Sequence, residues 1–243
     1  MKVAACQMPD VRNDLRRAVS LIQSYAAEAE RQGARLVCFP ECFLQGYDVR
    51  ADYVAQAALD LASAEFAHVL HSLETCEPII VVGLLERQAA KFYNSAVAID
   101  RGKVVARYRK IHLLDGERAV FEAGADADYP VFEAHDTTVG INICYDLNFS
   151  DAINAVAAAG AELVACPCNN MMRRRTAEEW KFRHNPIRAD RAREGSVWLL
   201  SSDVTGERGD RISYGPTAVI DPSGNVVDQV PLLTTGMVFA EIS

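Results

Sequence analysis

Three side chains of complementary chemistry stand where apolar runs stop: Glu41, Lys110 and Cys144. Glu41 follows Ala34-Arg35-Leu36-Val37-Cys38-Phe39, a run that reads as a buried strand closed by Pro40. Lys110 stands just past an apolar run at residues 104–108. Cys144 ends Thr137-Thr138-Val139-Gly140-Ile141-Asn142-Ile143, which is rich in β-branched residues and reads as another buried strand. Open α/β sheets bind ligands outside the carboxyl ends of their strands, so residues far apart in sequence can meet at one edge. A carboxylate, an ammonium and a thiol there would supply a base, an oxyanion stabiliser and a nucleophile. Singly, each has a plainer reading. A strand-end acid or lysine is ordinarily a solvated loop residue, and a free cysteine is often a small core residue.

The elements that must position these residues follow from periodicity. Residues 2–8 read as a strand. Apolar side chains three and four apart predict an amphipathic helix over residues 14–32, stopped by Gly33. Ser63 can cap a helix through residue 75. Strands are expected at 78–85, 95–99 and 104–108, with a turn at Asp100-Arg101-Gly102-Lys103. After Cys144, Ser150 can cap a helix at 151–159 that Gly160 closes. That places Cys144 beside a helix N-terminus, whose amides would lower a thiol pKa and hold an oxyanion. A strand is expected at 162–166. Thr176-Ala177-Glu178-Glu179 has the spacing of a capping box, and Pro186 interrupts or restarts the helix it opens. Strands at 197–201, 217–220 and 237–242 complete the pattern, with a turn at Asp221-Pro222-Ser223-Gly224. Early strand–helix alternation and later strand pairs imply a mixed α/β sheet. No repeat or linker divides residues 1–243, so one domain is expected.

Composition narrows the function classes. The chain has 243 residues, 50% hydrophobic content and a net charge of -8. An acidic chain without a long basic run argues against general nucleic-acid binding. Neither a secretory signal nor a membrane span is visible, so no membrane partner is expected. Seven cysteines, an odd number mostly in strand-like runs, suggest reduced thiols in a cytoplasmic protein. Cys166-Pro167-Cys168 lacks the spacing and second pair of a zinc site and reads as structural.

Longer motifs carry a resemblance. Pro40-Glu41-Cys42-Phe43-Leu44-Gln45-Gly46-Tyr47, Tyr93-Asn94-Ser95-Ala96, Tyr108-Arg109-Lys110-Ile111-His112-Leu113, Glu117 to Gly124 and Gly140 to Asp146 resemble, in that order, landmarks of the nitrilase superfamily, the carbon–nitrogen hydrolases. The resemblance spans nearly the whole chain. It implies a four-layer α-β-β-α sandwich of the nitrilase type, no metal and no organic cofactor. It implies a Glu41–Lys110–Cys144 triad, with Glu117 as a second glutamate and a homodimer or higher even assembly. Asn148, Glu194-Gly195, Ser202 to Gly206 and Gly215-Pro216-Thr217 depart from common family patterns, which bears on the substrate more than on the triad.

The expected reaction is hydrolysis of a non-peptide C–N bond in a small amide or N-carbamoyl compound. Cys144 would attack, and Lys110 with the backbone amide of Tyr145 would hold the oxyanion. The alternatives are a nitrilase acting on a C≡N bond and a non-catalytic binding relative. Tyr145-Asp146 resembles the amidase and carbamoylase branches rather than nitrilases. A papain-like protease would need a histidine partner, and only His112 lies in a motif near the site. Arg173, Arg174 and Arg175 follow the strand after the nucleophile. They are either a solvated basic face or a grip on a substrate carboxylate, for which the planar arginine fork suits.

Overall fold

The computed structural model describes residues 1–125 and 129–242. Fifteen strands run in chain order: β1 Lys2–Pro9, β2 Leu36–Cys38, β3 Ile79–Gln88, β4 Lys91–Asp100, β5 Lys103–Arg109, β6 Val131–Ala134, β7 Thr137–Ile141, β8 Leu163–Pro167, β9 Met172–Arg173, β10 Trp198–Ser202, β11 Val204–Arg208, β12 Arg211–Ser213, β13 Ala218–Ile220, β14 Val226–Gln229 and β15 Gly236–Glu241. They form two sheets. The first has the order β5-β4-β3-β2-β1-β11-β12-β9, with β15 also paired to β1; the second has the order β14-β13-β10-β8-β7-β6. Both are mixed. In the first, β1, β2 and β3 are parallel while β3–β4–β5 is an antiparallel meander. In the second, β7, β8 and β10 are parallel, and antiparallel strands flank them.

The period of two along each strand separates the layers. Val3 and Ala5 of β1, Leu36 and Cys38 of β2, and Leu163 and Ala165 of β8 meet in one core between the sheets. Ala4, Cys6 and Val37 face the other way, onto Ala18, Ile22 and Ala26 of the helix Leu15–Arg31 and Phe66 and Val69 of the helix Ala64–Ser72. Val164 and Cys166 face outward onto Ile153 and Val156 of the helix Ser150–Ala158 and Ala189 and Ala192 of the helix His184–Gly195. Strands buried on both faces carry continuous apolar runs, and two helical layers cover them. The result is the four-layer α-β-β-α sandwich. No helix among the described residues is long and apolar enough to cross a membrane.

Several local expectations shift. Asp14 caps the first long helix, its Oδ1 accepting from Arg17 N at 3.0 Å. Ser63 caps the next, accepting from Phe66 N at 3.1 Å, but that helix ends at Ser72 rather than residue 75. Between β7 and the helix Ser150–Ala158 lies a 3-10 turn, Cys144–Asn148. Cys144 therefore does not sit at an α-helix N-terminus, and Ser150 opens the helix without capping it. The Thr176 capping box does not form either. The short helix Arg174–Trp180 starts two residues earlier, held by Arg174 N donating to the Asp210 carbonyl at 3.1 Å. Pro186 falls in the first turn of His184–Gly195, where its missing N–H leaves no intrahelical bond unmade.

Gly83 ties the sheet to the Glu41 segment. Its N–H donates to the Pro40 carbonyl at 3.1 Å, and its carbonyl accepts from Leu44 N at 3.3 Å. A Cβ there would overlap the Cys42 amide nitrogen and lie 2.6 Å from Glu41 Cα. Backbone cannot yield as a side-chain tip can. Gly83→Ala should therefore lower stability by about 1–3 kcal/mol and displace Glu41. Paired thermal denaturation and turnover assays should show activity falling further than stability explains; an active, equally stable Gly83→Ala protein would refute the close approach.

Candidate active site

Lys110 leaves β5 with its ammonium directed into the protein, where its side chain is 1% exposed. Nζ donates to Glu41 Oε1 at 2.7 Å and to Glu117 Oε1 at 2.8 Å. Asn94, from β4, donates through Nδ2 to the same two oxygens, at 2.7 and 3.0 Å. Both carboxylates are buried. Burial alone would depress the Lys110 pKa, yet the charges of Glu41 and Glu117 outweigh it and hold the ammonium well above its ordinary value.

The two carboxylates differ in what else they accept. Glu117 lies in the short helix Asp115–Arg118. Its Oε1 also takes the Tyr47 hydroxyl at 3.1 Å, and its Oε2 takes Leu114 N at 2.9 Å. Both of its oxygens are engaged. Glu41 engages only Oε1; among the described residues no hydrogen bond reaches Oε2. Desolvation raises the Glu41 pKa, with Lys110 opposing and Glu117 adding to the rise. One buried acid thus has both oxygens engaged, and the other keeps an oxygen free of hydrogen bonds and a raised affinity for a proton.

Cys144 opens the 3-10 turn three residues past β7 with φ of 43°, a left-handed conformation that β-carbon-bearing residues adopt at some cost in strain. That bend turns its side chain onto a cavity of about 450 Å³, to which it stays partly exposed. Its thiol pKa is pushed well up, by hydrogen bonding with the Cys168 thiol, by burial and by the Glu41 charge; Lys110 opposes the rise. This corrects the expectation of a lowered pKa. The amides of a five-residue 3-10 turn do not outweigh a buried carboxylate, and one of the local amides, Ile143 N, already donates to Asp146 Oδ2 at 3.0 Å. The resting group is a thiol.

Hydrogen bonds across the two sheets set the register of these segments. Asp146, two residues past Cys144, accepts the Tyr108 hydroxyl at 2.9 Å and His112 N at 2.8 Å. Tyr108 and His112 flank Lys110 by two residues on either side, so one buried carboxylate fixes the lysine segment against the cysteine turn. Glu41 N donates to the Cys168 carbonyl at 3.1 Å, fixing the glutamate segment against the exit of β8.

Tyr145 and Arg173 line the cavity; Arg174 and Arg175 do not. Arg174 forms an exposed pair with Glu207, and Arg175, with its side chain 93% exposed, pairs with Glu179. Sequence reasoning missed Arg188, which is buried yet lines the cavity; Trp180 and His184, which also line it, stand in sequence only as part of the basic segment, without a site role. The helix of Arg188 has no apolar stripe strong enough to show which face is buried. A signal was present all the same in its small residues, Ala189 and Ala192, which mark the side that packs. Asn94 was visible only as a motif residue, without a role. Among the described residues, no group of three or more His, Cys, Asp or Glu side chains is placed to hold a metal ion.

Comparison with known proteins follows the same lines. A profile of the carbon–nitrogen hydrolases matches residues 2–243. A protein named nitrilase from Pyrococcus abyssi is 31% identical over 93% of this chain and 84% of its own length. The human ω-amidase NIT2 is 28% identical over 84% of this chain and 75% of its own. Among solved structures, a cysteine-to-alanine mutant of the Nesterenkonia AN1 amidase superposes with a TM-score of 0.84 at 25% identity, covering all of this chain and 90% of that one. The amidase-like fold, the profile over the full sandwich and these relatives place the chain in the carbon–nitrogen hydrolase family, within the nitrilase superfamily.

Proposed function

We propose that this carbon–nitrogen hydrolase cleaves small amides through a Cys144 thioester, with Glu41 as the base and Lys110 as the oxyanion stabiliser. The observation that carries the reading is the Lys110 ammonium held between Glu41, with one free oxygen, and a fully engaged Glu117, in electrostatic contact with Cys144. Glu41 takes the Cys144 proton as sulfur bonds to the amide carbon. Lys110 and the Tyr145 backbone amide stabilise the tetrahedral oxyanion. Glu41 then returns the proton to the leaving nitrogen, and ammonia departs as the C–N bond breaks. A water, losing its proton to Glu41, attacks the thioester; the acid leaves and that proton restores the thiol. Two modest barriers replace one high barrier. Glu117 holds the ammonium in place.

The amidases among the relatives support an amide substrate, while the Pyrococcus abyssi relative carries the name nitrilase and makes the nitrile the alternative to test. The solved Nesterenkonia protein is an amidase with butyramide bound in one form, and in another acrylamide has added at its active-site cysteine. An (R)-stereoselective amidase from Pseudomonas is 27% identical over 93% of this chain. N-Carbamoyl compounds present the same carbonyl and leaving nitrogen, and an assay must separate them from simple amides. A protein that binds a ligand without turnover would have no need of a base with a free oxygen.

The direct test is ammonia release across simple amides, ω-amides, N-carbamoyl acids and nitriles. Amides or carbamoyl compounds should exceed every nitrile. Cys144→Ala should abolish release with the fold intact, whereas Cys42→Ala should retain most of it. A better nitrile substrate, or an active Cys144→Ala protein, would refute the reading.

Lys110→Met should abolish turnover and remove the cation held between two buried carboxylates, a loss of about 3–5 kcal/mol at neutral pH. Lys110→Arg should also fail, because a planar fork cannot occupy the place of a compact ammonium. The pH dependence has a definite sign. The pKa of Glu41 is raised in the folded state, so folding takes up a proton and stability falls as pH rises through the folded pKa. Without Lys110 that rise should grow. Urea unfolding should therefore show the gap between wild type and Lys110→Met narrowing from pH 8 to pH 5.5; a constant gap would mean that the carboxylates do not depend on the ammonium.

A further inference from the structure

Among the described residues that line it, the cavity in front of Cys144 carries charge of one sign. They include Arg173, Arg188 and Arg211 but no aspartate or glutamate, although the chain as a whole carries -8. The three arginines are not equivalent. Arg173 has its side chain 77% exposed and lies 4.0 Å from an equally exposed Asp210, so water screens it. Arg211 spends Nη1 on the Met171 carbonyl at 3.2 Å. Arg188 alone is buried, its side chain 4% exposed.

Arg188 is fixed on one side and open on the other. Nη1 donates to Asn185 Oδ1 at 3.1 Å and to the Pro216 carbonyl. Asp203, fully buried, forms an ion pair with Nη2 at 3.5 Å but no hydrogen bond. Asp203 is engaged elsewhere, by Asn170 N at 3.0 Å, by Asn170 Nδ2 and by Val204 N at 2.9 Å. Among the described residues, the Nε and Nη2 donors of Arg188 therefore make no hydrogen bond, and the ion pair with Asp203 leaves their edge open. A guanidinium edge is ordinarily matched by a two-oxygen partner. Here the open edge belongs to a residue that lines the same cavity as Cys144. His184, beside it, does not share the charge: burial and the Arg188 charge hold its pKa down to about 3, so its ring is neutral.

We propose that Arg188 is the specificity-determining residue of this hydrolase, and that its open guanidinium edge anchors a carboxylate at the far end of a short aliphatic amide. The proposal rests on the amide-hydrolase reading above. Leu147, Met171 and Ile187 supply apolar wall for the intervening methylenes, and a cavity of about 450 Å³ suits a molecule of that size. With the carboxylate held at Arg188, the opposite end of the substrate is directed to Cys144. Arg173, at the solvated mouth, contributes long-range attraction rather than a fixed contact.

The test compares succinamic acid with butyramide, four-carbon amides that differ by a terminal carboxylate in place of a methyl group, by ammonia release. Wild type should favour succinamic acid in kcat/KM by about ten- to a hundredfold, as a charged hydrogen-bonded contact allows. Arg188→Gln should bring the ratio close to unity, and Arg188→Lys, which keeps charge without the fork, should give an intermediate ratio. Arg173→Ala should leave the preference largely in place. A wild-type ratio near unity would overturn the anchor, as would an Arg188→Gln ratio equal to wild type. If Arg188→Gln fails to fold by circular dichroism, the wild-type and Arg188→Lys ratios still decide. Ammonia from butyramide but not succinamic acid overturns the anchor alone; ammonia from neither, with other amides also inert, overturns the amide reading and the anchor with it.

Discussion

A lysine ammonium taken out of water loses hydration worth several kcal/mol even after relaxation. Lys110 is stable as a cation only because two carboxylates, themselves buried, meet it at 2.7 and 2.8 Å. Those carboxylates in turn need more than one cation, since three charges in contact leave a net negative charge in the interior. Asn94 and Tyr47 supply neutral donors to them, and Leu114 supplies a backbone amide. Remove any one and the rest is left with an unmet charge. The surrounding structure therefore reads as the set of contacts that keeps this cluster closed.

The excess negative charge has a use under the proposed mechanism. When Glu41 accepts the Cys144 proton, the buried cluster becomes the neutral pair Lys110–Glu117 plus a neutral acid. The charge has moved to sulfur and then to the substrate oxygen, both nearer the cavity and within reach of Lys110. A cluster that began neutral would have to acquire charge in the interior at the same step, against the low local dielectric. The raised Cys144 pKa fits this order of events. The thiol stays protonated until an acceptor for the charge is in place, which limits the reactivity of the empty site toward other electrophiles.

The positions of Glu41, Lys110 and Cys144 were legible because each stands where an apolar, strand-like run stops, and the motifs around them fixed the order. The sandwich was legible in part. Runs such as residues 34–39 and 139–143 have no polar alternation, which is what burial between a second sheet and a helical layer produces. Short edge elements were not legible: β9, β12 and β14 have two to four residues each, and their pairing depends on neighbours far away in sequence. The 3-10 turn after β7 was also hidden. Ser150 is a good capping residue, but its hydroxyl accepts from Arg191 Nη1 at 2.9 Å instead of a helix amide. The arginine cluster misled for a related reason. Three consecutive arginines are conspicuous in sequence, yet on a β-strand running into a helix they point in different directions, and only Arg173 reaches the cavity wall.

Arg188 shows the opposite case, a residue whose role depends wholly on what the fold removes from it. In sequence it is one of four arginines among residues 183–193, spaced as an ordinary solvated helix face. The helix packs that face against β8, β10 and β13, through Ala189 and Ala192, and so carries the guanidinium inward. Asp203 pairs with it at 3.5 Å without a hydrogen bond, because at the entrance to β11 Asn170 N and Val204 N hold its Oδ1 and Asn170 Nδ2 holds its Oδ2. These bonds at a strand entrance thereby leave one edge of the guanidinium without a hydrogen bond. No local propensity encodes that; it arises only when two strands, a helix and a loop compete for the same carboxylate.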